Sequence, residues 1–187
     1  MEELKKKLDI LSPHSRFCVE RLLGILEKLQ DEIAQLEARM KKEFRTSRPL
    51  ELLQTLPGVG FILSVVILLE MGDVNRFAGA PRLAAYSGTT PRVHASGGKV
   101  RYGETRSDVN RYLKWAFVEA ANCVALNARR HPSRHVCRLY MKVGQHKGHQ
   151  KAVGAMARHL AEAAYWILKK GEPYREPRKT LVSSTKG

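Results

Sequence analysis

Apolar positions repeat at helical intervals along most of this chain, and changes in their spacing divide it into segments. Between residues 15 and 44, Val19, Leu22, Leu26, Leu29, Ile33, Leu36 and Met40 recur at alternating steps of three and four. That is a heptad seam, flanked by Glu27, Lys28, Asp31, Glu32, Glu37 and Arg39, and it predicts one long amphipathic helix. A helix of about 30 residues would run roughly 45 Å, and the stripe is too narrow for an ordinary core helix. The expectation is a coiled coil, paired with a second copy or with another segment of the chain. A long helix packed on its own domain is the alternative. The polar Arg45-Thr46-Ser47-Arg48-Pro49 closes the segment.

The apolar groups that follow are shorter and broader. Leu52, Leu53 and Leu56 make a small face before Pro57-Gly58-Val59-Gly60. Ile62, Val65, Val66, Leu69 and Met71 then make a mostly buried helix that stops at Gly72. Two short helices joined by P-G-V-G form the pattern of a helix-hairpin-helix. The glycines allow positive φ, and free N–H groups at the start of the second helix can take a phosphate oxygen. Contacts from Pro57, Gly58, Val59 and Gly60 would ignore base identity. A structural αα-hairpin without a ligand fits the same pattern.

Further helices are predicted from Ala80 to Tyr86, from a cap at Ser107 or Asp108 to about Arg130, from Pro132 to about Val143, and from about Lys151 to Lys170. The class is therefore all-α. A coiled-coil segment spans residues 1–48, a compact helical domain with a helix-hairpin-helix-like motif spans 49–174, and a flexible basic tail spans 175–187.

One stretch departs from the helical pattern. From Arg92 to Gly103 the chain is irregular and compatible with a small β-hairpin; Arg92, His94, Lys99 and Arg101, with Arg106 just beyond, flank the single Ser96. Composition gives this stretch its meaning. The 187 residues carry a net charge of +15 and a pI near 10.0, a field that draws in polyanions. Nucleic acid is the expected partner, ahead of an anionic membrane surface. Asn110 and Arg111, at the start of the next helix, complete the set of candidate backbone contacts. The longest apolar run, Phe61 to Leu69, is far short of the roughly 20 residues that cross a bilayer. Met1 to Leu11 lacks the apolar core of a signal peptide, and three scattered cysteines (Cys18, Cys123, Cys137) form no disulfide framework. The expectation is a cytoplasmic protein with no membrane partner.

Phosphoryl transfer to a serine needs an activated hydroxyl, cations on the non-bridging oxygens and in-line geometry. Arg92, Lys99, Arg101 and Arg106 are cations within reach in sequence. His94 could act as a base or as another phosphate contact, and strand alternation would put it on one face with Ser96. By spacing alone, Ser96 is an ordinary turn residue. A second cluster, His131, His135, Cys137, His146 and His149, has no C-x-x-C or H-E-x-x-H, so we assign it phosphate contacts or a solvated face in preference to zinc. No metal site is assigned in this chain.

LLQTLPGVG, the GD-x-x-RF of Gly72 to Phe77, LAAYSGTTPR at 83–92, ASG at 95–97, the Asn110-x-x-Leu113 step and KAVGAMARHLAEAAYWILKKGEPY follow one another in a familiar order and spacing. Over residues 50–174 the chain resembles the C-terminal transposase domain of the insertion sequence 110 (IS110/IS116/IS902) family, whose relatives include Piv-type DNA invertases. The resemblance implies DNA transposition in a prokaryotic cytoplasm, at the nucleoid. It implies a serine that becomes linked to DNA, matched here by Ser96, with Ser87 as the competitor. It also implies a coiled coil joining this domain to a RuvC-like nuclease domain that holds divalent metal (Mg), and in several members a structured guide RNA.

Residues 1–14, ahead of the coil, carry no β-rich run with spaced acids, and the family's K-x-G-N reads Ser107-Asp108-Val109-Asn110. The expectation is the C-terminal half of a serine-type, RNA-guided transposase that forms a homo-oligomer through residues 15–44 and is inactive alone. The other reading is a non-catalytic helix-hairpin-helix module that binds nucleic acid and oligomerises through its coil.

Overall fold

The computed structural model describes residues 8–44, 47–96, 99–105 and 108–177, with the backbone alone at residues 9, 93–96, 99–102, 104 and 105. The chain divides into two compact units, Met1–Thr46 and Ser47–Gly187.

Among its described residues, the first unit has a 3₁₀ turn, Leu8–Ile10, followed by the helix α1, Pro13–Glu43. Ser12 caps α1 by accepting from the Ser15 N–H, and Pro13 occupies the first turn, where its fixed φ suits a helix and its missing N–H costs nothing. The helix therefore starts ahead of the periodic pattern. No residue of α1 is buried, and Leu22, Leu29 and Leu36 of the seam are 65%, 54% and 61% exposed. Within the described part of this unit, the apolar stripe is exposed.

In the second unit, α2 (Arg48–Leu53) and α3 (Phe61–Met71) flank the P-G-V-G turn. A 3₁₀ turn (Val74–Arg76) leads to α4 (Ala80–Tyr86), then to the antiparallel strands β1 (Pro91–Ser96) and β2 (Lys99–Thr105). The helices α5 (Arg111–Leu126), α6 (His135–Lys147) and α7 (His149–Lys170) complete it. The all-α class stands, with one β-hairpin set into it among the described residues. α7 is the central post and packs on α2, α4, α5 and α6. Leu53, Ile67, Leu83, Leu113, Phe117, Met156 and Leu160 form the core, and Ala116, Ala120, Ala157, Ala161 and Ala164 are buried among them. Burying these side chains supplies the main force for folding, and small alanines let helices approach closely.

Several boundaries differ from the sequence pattern for local reasons. α5 is capped by Asn110, not by Ser107 or Asp108, because the Asn110 side chain accepts from the Leu113 N–H at 2.9 Å. It ends at Leu126, short of Arg130, where the Asn127 side chain donates to the Cys123 carbonyl and the backbone closes into turns. α6 begins at His135 and not at Pro132, and runs on through Lys147. The polar GQHKGHQK is helical on both sides of Gly148, whose φ of +79° turns the chain from α6 into α7 in one residue.

The segment after α7 folds back on the body. The Tyr174 N–H donates to the Thr55 hydroxyl at 2.7 Å, its phenol lies 3.3 Å from His159 Nε2, and Glu176 accepts from the His135 N–H at 2.7 Å. Residues 178–187 of the basic tail lie outside the described residues. The His135 and His159 rings are 4.8 Å apart, and burial, aided by His135, holds His159 below its ordinary value of 6.5; burial likewise pushes the Tyr174 phenol up. The folded chain thus resists a proton that the unfolded chain accepts, so stability falls as pH drops through the region near 6.5. Thermal midpoints should fall between about pH 8 and about pH 5, and His159→Gln should flatten that slope; an unchanged slope would remove His159 as the cause.

Candidate nucleic-acid interface

The hairpin is an arm that leaves the body after α4 and returns at α5, and its two ends are tied together. The Asn110 N–H donates to the Tyr86 carbonyl at 3.0 Å. Gly88, at φ +67°, sits where a Cβ would lie 2.6 Å from a Val109 methyl. Beside it, the Ser87 hydroxyl donates to the Ala84 carbonyl at 3.0 Å and lies 3.2 Å from the Thr89 hydroxyl, which also reaches Ala84 at 3.0 Å. Ser87 is fully buried, so its oxygen belongs to this neck and is closed to solvent.

Around the neck lies a polar cluster. The Asn110 side chain caps α5 with its oxygen, while its nitrogen donates to Glu70 at 2.7 Å and lies 3.4 Å from the Tyr86 phenol. The Arg76 guanidinium sits 4.5 Å from the Phe77 ring and 4.7 Å from the Tyr86 ring, and its Nε donates to the Met71 carbonyl at 3.0 Å. Asn110, then Arg76, hold the Tyr86 phenol below its usual value. Asn110, expected to touch a nucleic-acid backbone, thus has its amide taken up within the protein.

On the arm, β1 and β2 pair His94 with Arg101 and Ser96 with Lys99, and the register slips between Pro91 and Val93. His94, Ser96, Lys99 and Arg101 are described by backbone alone; Arg92 is exposed, and Arg106 lies outside the described residues. The register still brings two of the expected cations opposite the serine and the histidine. Arg111 is exposed at the start of α5.

The P-G-V-G turn presents two unlike glycines. Gly58, at φ +78°, lies against α5, where a Cβ would be 2.2 Å from the Ala120 carbonyl oxygen. Gly60 is exposed, caps α3 with no side-chain bond, and has open space around its Cβ position. Pro57 and Val59 are buried. Arg134, Tyr174 and Glu176 join residues 54–60 in lining a groove of about 540 Å³. The Glu176 carboxylate there disfavours a phosphate, and Arg134 offsets it.

The cluster of His131, His135, Cys137, His146 and His149 does not converge. The His135 ring lies against His159, and the His149 ring lies 3.0 Å from the Tyr140 phenol. Among the described residues, no group of three or more His, Cys, Asp or Glu side chains is placed to hold a metal ion.

The model of the transposase IS116/IS110/IS902 family matches residues 50–136, a span that includes the turn, the neck and the arm. Residues 50–136 are a transposase domain of the IS116/IS110/IS902 family. The relatives agree. The chain is 30% identical over 149 residues to y4pF/y4sB of Sinorhizobium fredii, covering 80% of this chain and 38% of that protein. It is 24% identical over 166 residues to the transposase for insertion sequence element IS1111A of Coxiella burnetii, covering 88% and 45%. It is 26% identical over 151 residues to the pilin gene-inverting protein of Moraxella bovis, covering 77% and 45%. The chain spans less than half the length of these curated relatives.

Within the transposase domain, Glu70, Arg76 and Tyr86 were not singled out as functional from sequence. Arg76 and Tyr86 stand in the matching GD-x-x-RF and LAAYSG strings, which could have flagged them; Glu70 has no such marker. Arg134 and Glu176 escaped notice because only the folded chain brings them to residues 54–60.

Proposed function

We propose that this chain is the serine-bearing half of a DNA transposase that works with a metal-dependent nuclease domain and a structured guide RNA. The observation that carries this reading is the position of Ser96. It lies in the family-matched segment, on a hairpin arm whose neck is fixed and whose register sets Lys99 opposite it. In the reaction the serine oxygen forms an ester bond to phosphorus, and the bond from phosphorus to the departing sugar oxygen breaks. His94 or the metal-bearing partner takes the serine proton, and the sugar oxygen gains one. Arg92, Lys99, Arg101 and Arg106 neutralise the phosphate oxygens. Divalent metal, when bound by the nuclease domain, would activate the attacking or leaving oxygen.

Backbone binding adds a second component. The exposed Gly60 and the N–H groups at the start of α3 form a helix-hairpin-helix-like seat, which supports the alternative reading of a purely binding module. The place of action would be the prokaryotic cytoplasm, at the nucleoid; no helix among the described residues is long and apolar enough to cross a membrane.

The test is to trap the covalent adduct formed by the reconstituted transposase on labelled DNA, digest it and identify the peptide that retains the nucleotide. The peptide containing Ser96 is expected; attachment at any other residue would overturn the assignment. The open seam of α1 supports assembly through residues 15–44. Leu29→Lys with Ile33→Lys should convert the oligomer to a monomer in analytical ultracentrifugation. An unchanged sedimentation coefficient would remove the seam from the interface.

A further inference from the structure

The first turns of α5 carry a second arrangement of residues, distinct from the serine arm and the P-G-V-G turn. Tyr112 is 67% exposed and Trp115 is 47% exposed. Three residues apart, they stand side by side on one helix surface. The helix beneath them is firmly held, since Leu113, Ala116 and Phe117 of the same turns are fully buried. Arg111 is exposed immediately before Tyr112, and Asn110 ties this end of α5 to the exposed Tyr86 ring at the neck. One turn beyond Trp115, Glu119 accepts from the Asn122 side chain at 3.4 Å, and its negative charge disfavours a phosphate there.

We propose that Arg111, Tyr112 and Trp115 form a platform on which unpaired nucleotides stack beside the serine arm. Flat aromatic rings left in water on a chain of net charge +15 suit a ligand that has both a π face and a negative backbone. A nucleobase with its phosphate meets both requirements, and an apolar protein partner meets only the first. Duplex nucleic acid hides its base faces in the stack, so the platform selects strand ends, bulges and opened strands of DNA or RNA. The proposal rests on the reading of this chain as a nucleic-acid-binding protein, and it names the state of the strand that the site takes.

The test uses the whole chain with 2-aminopurine oligonucleotides: a single-stranded DNA, the same sequence as RNA, and a blunt DNA duplex. Trp115→Ala should weaken binding to at least one single strand roughly tenfold and lose the stacking quench of the probe, while leaving duplex affinity within about twofold. The strand that loses affinity identifies the ligand as DNA or RNA. Trp115→Phe, which keeps a ring, should retain most of the affinity, and matching thermal midpoints for the variants exclude a folding defect. Equal losses on single strand and duplex, or no loss on either single strand, overturn the platform. If the unaltered chain ignores duplex but binds single strands through Trp115, the backbone reading fails and the platform stands.

Discussion

Under the proposed function, replacing Ser96 with alanine should reduce covalent protein–DNA attachment at least about a thousandfold in the reconstituted transposase, because alanine has no oxygen to attack phosphorus. DNA affinity should stay within about twofold, since it comes from the cations and backbone amides and not from one hydroxyl. Labelled DNA retained by the protein on a denaturing gel reads the first quantity; a salt titration of binding reads the second. Ser87→Ala supplies the contrast. It removes a buried hydrogen bond to Ala84, costing about 1 kcal/mol of stability, and leaves attachment intact. Attachment that survived in Ser96→Ala and vanished in Ser87→Ala would reverse the assignment.

The largest effect on stability should come from Gly58→Ala. The residue holds φ +78°, a region that costs an L side chain about 1–2 kcal/mol, and its new Cβ would meet the Ala120 carbonyl oxygen at 2.2 Å. That neighbour is helix backbone and cannot swing aside. The turn and α5 must separate, so the combined cost is about 3 kcal/mol or more, a drop on the order of 10 °C in thermal midpoint. Gly60→Asp should behave oppositely. Its Cβ enters open space, and aspartate can cap α3 where glycine offers no side chain, so stability should hold or rise by a few tenths of a kcal/mol. The added charge should nonetheless weaken nucleic-acid binding if the start of α3 seats a phosphate. Equal melting behaviour for the two variants would contradict the distinction drawn between the glycines.

The helical architecture was legible because its signals are local: apolar spacing, the glycine stop at Gly72 and the polar residues 45–49 that close the first helix. Where the pattern misled, a side chain had made a bond that spacing cannot reveal. Asn110 took the cap from Ser107 and Asp108 by reaching the Leu113 N–H, and the polar run near Gly148 stayed helical because an exposed face tolerates polar residues. Ser96 stands among Arg92, Lys99 and Arg101 in sequence, and the strand register sets Lys99 opposite it. By spacing alone Ser96 was a turn residue, and only the resemblance singled it out. The neck was invisible, since it depends on Tyr86, Gly88, Val109 and Asn110 meeting across the length of the arm. So was the acid in the groove at the P-G-V-G turn, because Glu176 arrives there from the far end of the chain.

The tied neck also bears on how such a chain can change over generations. The arm departs and re-enters where the Asn110 N–H meets the Tyr86 carbonyl and Gly88 lies against Val109. The helices that α7 packs on, α2, α4, α5 and α6, all lie outside residues 90–108. On the proposed function, the arm is the part of the chain where changes of length and charge would meet new strands, while the frame is set by α7 and the helices around it.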